Sequence, residues 1–123
     1  MRDLGGEDPL LFWVGGAGSL LLPDGTAVVD SGRIPAAFVP IVMAQVDVLD
    51  LLRSIEGVRW TYLSPAELIE PGARRGGGYR LGGDDLVQDD TGASRISYDD
   101  FAAAVLDEVE QPEHVGRRFT LGY

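Results

Sequence analysis

Few side chains in this sequence have the chemistry of a nucleophile or a general base. The chain has no cysteine, which excludes disulfides, thiolate nucleophiles and Cys-based zinc sites, and it has one histidine. A Ser-His-Asp triad would need that histidine, His114, together with Ser19 or another serine. His114 stands between Pro112 and Gly116 in a polar turn. We therefore predict a solvated loop histidine rather than a triad member.

Two groups of charged residues have the composition of an ion site. One is a set of four aspartates, Asp84, Asp85, Asp89 and Asp90. Their spacing lacks the alternating ligands, the glycine and the final glutamate of a calcium-binding EF-hand loop, so we predict a charged hairpin and no metal site. The other group is Arg74 and Arg75, which precede three glycines and have the chemistry to meet a phosphate. Because two arginines do not offset a net charge of -10, we predict a solvated loop there.

The charge balance excludes several classes of partner. A net charge of -10 repels nucleic-acid backbones and anionic lipid. The apolar stretch at residues 10–22 is broken by three glycines and is too short to span a membrane. Residues 1–8 are acidic and glycine-rich, unlike a signal peptide. We expect a cytoplasmic protein that binds neither nucleic acid nor membrane, and the absence of cysteine fits a reducing compartment.

The first half of the chain has the pattern of a strand, a helix and a second strand. Leu10–Val14 is a continuous apolar run, typical of a strand covered on both faces in a parallel sheet. Residues 58–63 are rich in aromatic and β-branched side chains, which predicts the second strand. A crossover between them would be right-handed, and the strands parallel. Trp13 and Trp60 lie on these strands, and we expect them to pack in the core or against a helix.

The predicted helix covers residues 40–54, and its apolar arc is wide. Projection at the helical period places the apolar side chains over an arc of about 180°. They are Ile41, Val42, Ala44, Val48, Leu49, Leu51, Leu52 and Ile55. One sheet face needs less than this, so we expect a second surface to cover part of the arc, with a homo-oligomer through this helix as one solution.

The connections and the second half predict shorter elements. Residues 27–30 are expected to be a short extended piece, and residues 66–69 a short helical turn. A short strand is expected at residues 79–81. Residues 86–88 and 94–96 flank a turn signal and predict a hairpin.

A second helix is predicted at residues 98–109, followed by a last strand at residues 117–123. Ser97 is the expected N-cap, and Asp100 stands where a capping box places an acidic residue. The helical period assigns one apolar face. That face comprises Tyr98, Phe101, Ala102, Val105, Leu106 and Val109.

Five pieces of the sequence, in order and spacing, resemble one protein family. They are FWVGGAGSL at 12–20, WTYLSPA at 60–66, YRLGGD at 79–84, SRIS at 94–97 and RRFT at 117–120. Together they resemble the atypical short-chain dehydrogenase/reductase group, the NAD(P)H-binding or NADH-flavin-reductase-like proteins. The resemblance covers nearly all of the chain from Leu10 on. It implies an α/β fold, the C-terminal half of a doubly wound Rossmann-type parallel sheet, with Leu10–Val14 as its fifth strand.

The resemblance also implies a cofactor, NAD or NADP, lying across the carboxyl ends of the strands. The positions that match this region are Gly15, Gly16, Ala17 and Gly18 after the first strand, and Leu63, Ser64 and Pro65 after the second. The alternative for the glycines is a tight turn from strand to loop. Ser19 matches the serine that classical members use in catalysis.

Two parts of the family pattern are missing from this sequence. No G-x-x-G-x-x-G turn, whose N–H groups would hold the cofactor pyrophosphate, precedes Leu10. The Tyr-x-x-x-Lys pair of classical members falls on Ile41 and Gln45. We therefore expect a single truncated domain of residues 1–123 that lacks the phosphate-binding half.

Two functions remain open from the sequence. In the first, the chain belongs to an NAD(P)H-dependent reductase acting on a small molecule, inactive or incomplete as this fragment. In the second, it is a non-catalytic remnant that serves as a dimerisation or binding module through the helix at residues 40–54.

Overall fold

The computed structural model describes residues 9–123, so the acidic start at residues 1–8 lies outside the described residues. Two helices and six strands follow in chain order. They are β1 (Leu10–Val14), α1 (Val39–Ser54), β2 (Arg59–Ser64), β3 (Leu68–Glu70), β4 (Arg80–Gly82), β5 (Arg95–Ser97), α2 (Tyr98–Glu110) and β6 (Arg117–Gly122). No helix among these is long and apolar enough to cross a bilayer.

The main sheet has four strands in the order β1-β2-β6-β4. β1 pairs in parallel with β2, and β2 in parallel with β6, whereas β4 is antiparallel to β6. The predicted strand–helix–strand unit and the α/β fold class are therefore confirmed. β3 and β5 form a separate two-stranded parallel sheet.

Alternate residues of the central strands send their side chains to opposite faces of the sheet. On one face Trp60 and Tyr62 pack against Leu49 and Leu52 of α1. Trp13 joins this cluster, and its indole N–H donates to the side-chain oxygen of Gln45 at 2.9 Å. The packing roles predicted for both tryptophans are confirmed.

The opposite face of the sheet carries a second core against α2. Leu63 of β2 and Phe119 and Leu121 of β6 pack there with Ile96 and Ala104. The rings of Phe12 and Phe119 meet edge to face, with centroids 6.5 Å apart. A sheet covered on both faces explains why β2 and β6 contain so few exposed side chains.

The α1 helix buries one part of its apolar arc and exposes the rest. Leu49 and Leu52 are buried against the sheet, whereas Ile41 is 65% and Leu51 58% exposed. Phe38, directly before the helix, is 56% exposed. The described residues cover one side of α1, and the second covering surface expected from the sequence stays a prediction.

Residues 27–30 and 66–69 differ from their predicted structures. Val28–Asp30 is a 3-10 turn in which Val28 is fully buried beside Leu20 and Leu86. The Ser31 hydroxyl donates to the Val28 carbonyl and completes that turn. Leu68–Glu70 is a strand, because its parallel pairing with β5 satisfies the backbone that a helical turn would have satisfied locally.

The predicted hairpin of residues 86–88 and 94–96 is wrong, although its turn exists. The N–H of Asp89 donates to the Ala93 carbonyl, and Gly92 adopts a positive φ of 83°. Beyond the turn the chain pairs with β3 instead of with the first arm. Leu86 leaves the strand register and packs on Leu20.

The α2 helix turns a different face to the core from the one that its hydrophobic period predicts. Asp100, Ala104 and Glu108 are buried, whereas Tyr98, Leu106 and Val109 are each more than half exposed. The rotation follows from Asp100, whose carboxylate is bound by Arg74 and by the Tyr123 hydroxyl. The predicted apolar face is therefore only partly right.

Ser97 is the N-cap of α2, as predicted. Its hydroxyl accepts a hydrogen bond from the Asp100 N–H at 3.1 Å. The reciprocal half of a capping box is absent, because the Asp100 carboxylate points to Arg74 and the Ser97 N–H donates to Tyr123 instead.

Replacing Ser97 with alanine should lower the free energy of unfolding by about 1 kcal/mol, because one helical N–H loses its acceptor. Denaturant titration followed by circular dichroism measures this loss. Ser54, whose hydroxyl donates to its own helix at the Leu51 carbonyl, is the matched control, and Ser54→Ala should leave stability within about 0.5 kcal/mol of the parent. Equal losses for the two variants would contradict the assignment of the cap.

Candidate functional site

The loop after β1 and the loop after β2 lie side by side. We call residues 15–19 the β1 loop. β1 and β2 are parallel neighbours, so their carboxyl ends meet at one edge of the sheet, and the Gly15 N–H donates to the Leu63 carbonyl at 2.9 Å. This is the edge where ligands bind in doubly wound folds.

A cavity of about 350 Å³ lies at this edge, between the two loops, α1 and the start of β3. Its walls include Gly16, Ala17, Gly18 and Pro65, four of the predicted site positions. Apolar side chains supply most of the remaining wall, namely Val28, Ile34, Pro35, Val42, Ala66 and Ile69. We refer to it as the β-edge cavity.

The other predicted site positions lie beside the cavity and not in its wall. Leu63 is fully buried and packs in the core on the α2 side. Ser64 is also fully buried, and its hydroxyl accepts a hydrogen bond from Arg118. Gly15 contacts Tyr62, and Ser19 contacts Arg118.

Two glycines of the β1 loop are required by packing inside the protein. A Cβ atom on Gly15 would lie 1.9 Å from the Tyr62 hydroxyl oxygen, and one on Gly18 would lie 2.1 Å from a methyl group of Val42. Gly16 differs, because a Cβ there would meet only Gln45, at 3.9 Å. Gly16 is therefore the glycine whose missing side chain leaves open space at the cavity.

Tyr62 supports the β1 loop from below. Its hydroxyl donates to the Gln45 carbonyl at 3.0 Å and accepts from the Gly16 N–H at 3.4 Å. Burial raises the pKa of this phenol, and the Gly16 hydrogen bond and the positive charge of Arg118 oppose the rise only in part. Tyr62 therefore stays protonated at neutral pH. The sequence analysis predicted its strand but not this role.

An ion pair crosses the side of the cavity. The guanidinium of Arg33 holds both carboxylate oxygens of Glu67, with its Nε 2.8 Å from one of them. The hydrogen bond to Glu67 raises the pKa of Arg33. The pair joins the segment before α1 to the loop after β2, and no motif in the sequence indicates it.

Arg118 holds the Ser19 hydroxyl. Its Nη1 donates to Ser19 Oγ at 2.9 Å and to Ser64 Oγ at 3.1 Å. A guanidinium has donors and no acceptor, so the Ser19 proton is left to bond elsewhere. The catalytic role predicted for Ser19 stays a prediction.

His114 is not the solvated histidine that the sequence analysis predicted. Its Nδ1 lies 2.8 Å from a carboxylate oxygen of Glu108, and its ring stacks on Phe119 with centroids 4.3 Å apart. The second Glu108 oxygen accepts the N–H groups of Glu113 and His114. These contacts give His114 a structural role at the end of α2, and no serine is among them.

The charged groups singled out earlier are bound within the fold. Asp84 accepts from Arg118 and Arg53, and Asp89 accepts from the Thr91 hydroxyl, whose hydrogen bond is the main cause that lowers the pKa of Asp89 to about 2. Arg74 and Arg75 are not in a solvated loop as predicted. Arg74 pairs with the buried Asp100, and the Arg75 guanidinium lies over the Tyr123 ring. Residues 9–123 bring together no group of three or more histidine, aspartate or glutamate side chains that could hold a metal.

Known proteins share this sequence and this fold. The Bacillus subtilis uncharacterized protein YwnB is 41% identical over 113 residues, which are 90% of this chain and 53% of that protein. A Bacteroides thetaiotaomicron crystal structure, provisionally named an epimerase, matches 96% of this chain and 54% of its own with 43% identity and a TM-score of 0.87. A Streptococcus pneumoniae structure, provisionally named an NADH-flavin reductase, matches 95% and 57% with 37% identity and a TM-score of 0.82.

This chain is a relative of these epimerase-like and reductase-like proteins. The resemblance to the NAD(P)H-binding, NADH-flavin-reductase-like group is thus confirmed. The chain spans about half the length of the relatives that it matches. A Veillonella parvula short-chain dehydrogenase/reductase solved with NADP shares the fold at 16% identity and a TM-score of 0.64, over 91% of this chain and 49% of that one. No protein-family model matches the sequence.

Proposed function

We propose that this chain supplies the nicotinamide end of an NAD(P)-binding site in an atypical short-chain dehydrogenase/reductase. The observation that carries the proposal is the β-edge cavity, which lies at the carboxyl ends of two parallel strands in a relative of reductase-like proteins. The substrate would be a small molecule. The proposal concerns binding first, and turnover in the complete protein second.

The cavity has the size and the lining for a flat, uncharged ring. Its volume of about 350 Å³ lies at the small end of ligand pockets, and a nicotinamide ring is a small ligand. The open position at Gly16 allows a ring to approach the backbone. The bound cofactor would supply a hydride. The chain's own residues orient the ring through the backbone of the β1 loop and exclude water through Val42, Ile34 and Ile69.

The phosphate groups of the cofactor need contacts that these residues do not offer. The sequence contains no G-x-x-G-x-x-G turn. Arg33, the cation in the cavity wall, is already neutralised by Glu67. We propose that residues other than these 123 hold the pyrophosphate and the adenosine.

Ser19 is the polar side chain of the β1 loop closest to this chemistry in type. Because Arg118 occupies a lone pair of its hydroxyl oxygen, Ser19 would act as a hydrogen-bond donor, for example to a carbonyl oxygen of a substrate. It would not act as a nucleophile, since a guanidinium cannot accept its proton.

The test compares reduced nicotinamide mononucleotide with NADPH, titrated into the chain by calorimetry. The two ligands share the nicotinamide end, so we expect affinities within about tenfold of each other, equal to about 1.4 kcal/mol. Gly16→Val should weaken both by at least about tenfold, because its side chain enters the space that the ring needs. The matched control is Gly76→Val at an open position outside the cavity.

Three outcomes would contradict parts of this proposal. NADPH binding much tighter than the mononucleotide would show that the chain holds the phosphates itself. Equal binding by Gly16→Val would place the ligand elsewhere. Absence of binding by both ligands, together with a stable dimer in light scattering, would favour the non-catalytic alternative. The exposed Phe38, Ile41 and Leu51 on and next to α1 favour that alternative as a pairing surface.

A further inference from the structure

A single buried cation touches both loops that form the β-edge cavity. The side chain of Arg118, on β6, is 2% exposed. Its Nη1 donates to the hydroxyls of Ser19 and Ser64, and its Nη2 donates to the Ser19 carbonyl at 3.4 Å. Its Nε and Nη2 donate to one carboxylate oxygen of Asp84 at 3.0 and 2.9 Å.

A guanidinium in this environment needs a counterion and filled hydrogen bonds. Burial lowers the pKa of Arg118, and Asp84 opposes that shift. The Asp84 side chain is 60% exposed and also pairs with Arg53, so it is anchored at the surface of the protein. Arg118 therefore has one ionic partner at the surface and two serines inside. The serines are not needed to neutralise it, which leaves their geometry to be explained.

The two serines occupy matched places in the site. Ser19 follows Gly18, and Ser64 precedes Pro65, and both Gly18 and Pro65 line the cavity. Ser19 lies 99 residues from Arg118 in sequence, and Ser64 lies 54 residues from it. The planar fork of a guanidinium fixes the relative position of the acceptors that it bridges.

We infer that Arg118 is a positioning residue that sets the distance between the two walls of the β-edge cavity by holding Ser19 and Ser64 together. This role rests on the proposed function only for its effect on ligand affinity. The ordering of the β1 loop by Arg118 stands independently of any ligand. Ligand binding through this cavity should therefore depend on a side chain that does not itself line it.

The test uses Arg118→Lys in the full chain, with two readouts. Lysine keeps the charge beside Asp84 but offers no planar fork to bridge both serines. Hydrogen exchange by NMR should become at least about tenfold faster at the amides of Gly15 and Gly18. The affinity for reduced nicotinamide mononucleotide should fall by a similar factor, while the exchange of β6 amides and the melting temperature change little.

Two further variants separate positioning from general stability. Ser19→Ala removes one acceptor and leaves Asp84 and Ser64 bound, so it should reproduce the faster exchange in the β1 loop. Arg53→Lys changes the other cation on Asp84, and both readouts should stay at the parent values. If Arg118→Lys does not fold, Ser19→Ala and Ser64→Ala still decide the question.

Unchanged exchange in the β1 loop of folded Arg118→Lys and of Ser19→Ala would overturn the inference. A uniform rise of exchange over the whole sheet would do the same, because it would mark Arg118 as merely structural. If the parent chain binds no mononucleotide, the proposed function fails, and the exchange readout alone decides the role of Arg118.

Discussion

Replacing Gly15 with alanine is expected to lower the free energy of unfolding by about 3 kcal/mol, at the upper end of the range for overpacked cores. The added Cβ would lie 1.9 Å from the Tyr62 hydroxyl oxygen and 2.0 Å from the ring carbon that carries it. Tyr62 is 1% exposed and packs between the sheet and α1, so the ring has no free space to move into. Denaturant titration measures the loss.

The neighbouring glycine supplies the control. Gly16→Ala places its Cβ no closer than 3.9 Å to Gln45, so its stability should stay within about 0.5 kcal/mol of the parent. A double-mutant cycle then isolates the cause. In a Tyr62→Ala background the cost of Gly15→Ala should largely disappear, because the clashing ring is gone. A cost that persists there would mean that backbone conformation, and not Tyr62, requires the glycine.

The second large effect is expected at Asp100, the buried carboxylate at the start of α2. It accepts hydrogen bonds from Arg74 Nε at 2.6 Å, from the Arg75 N–H at 3.1 Å and from the Tyr123 hydroxyl. Asp100→Asn removes the charge from these bonds, and we expect a loss of about 2 kcal/mol in unfolding free energy at neutral pH. Asp99→Asn is the matched control, because Asp99 occupies the same helical turn but is exposed.

The dependence on pH gives Asp100 a signature of its own. Burial raises its pKa, but the hydrogen bonds from Tyr123, Arg75 and Arg74 outweigh that effect and hold the pKa below the ordinary value of 3.8. A lowered pKa in the folded state stabilises the protein above pH 3.8, and this stabilisation is lost as the pH falls through the folded pKa. The difference between parent and Asp100→Asn should therefore shrink as the pH is lowered below about 4. A difference that grows on acidification would contradict this assignment.

The sequence predicts the parts of the fold that depend on local patterns. The apolar run of β1 and the period of α1 are properties of neighbouring residues, and both elements lie within a residue or so of their predicted bounds. The β3 strand was missed, because three residues take their structure from β5, which lies more than twenty residues later. The face of α2 was partly missed, because hydrophobic periodicity does not predict a buried carboxylate with partners elsewhere in the chain.

The site divides in the same way. The place of the cavity follows from two parallel strands, and the sequence analysis predicted four of its wall residues. It interpreted Gly15 and Gly18 through a ligand, whereas their close neighbours are Tyr62 and Val42. Tyr62 and Arg118 contact the β1 loop across 46 and 99 residues of sequence. No spacing rule connects residues so far apart, and they become visible only when the sheet is assembled.

The place of β6 in the sheet determines how the chain folds. It is the last strand of this sequence, yet it lies between β2 and β4. The Thr120 hydroxyl reaches the Ser64 carbonyl across 56 residues, and Phe119 and Leu121 complete the core beneath α2. Closing so long a loop costs conformational entropy before any packing is gained, and such non-local pairing slows folding. Until residues 117–122 arrive, the inner edge of β2 stays open and the core under α2 stays incomplete, so the two halves of this chain gain their stability in one cooperative step.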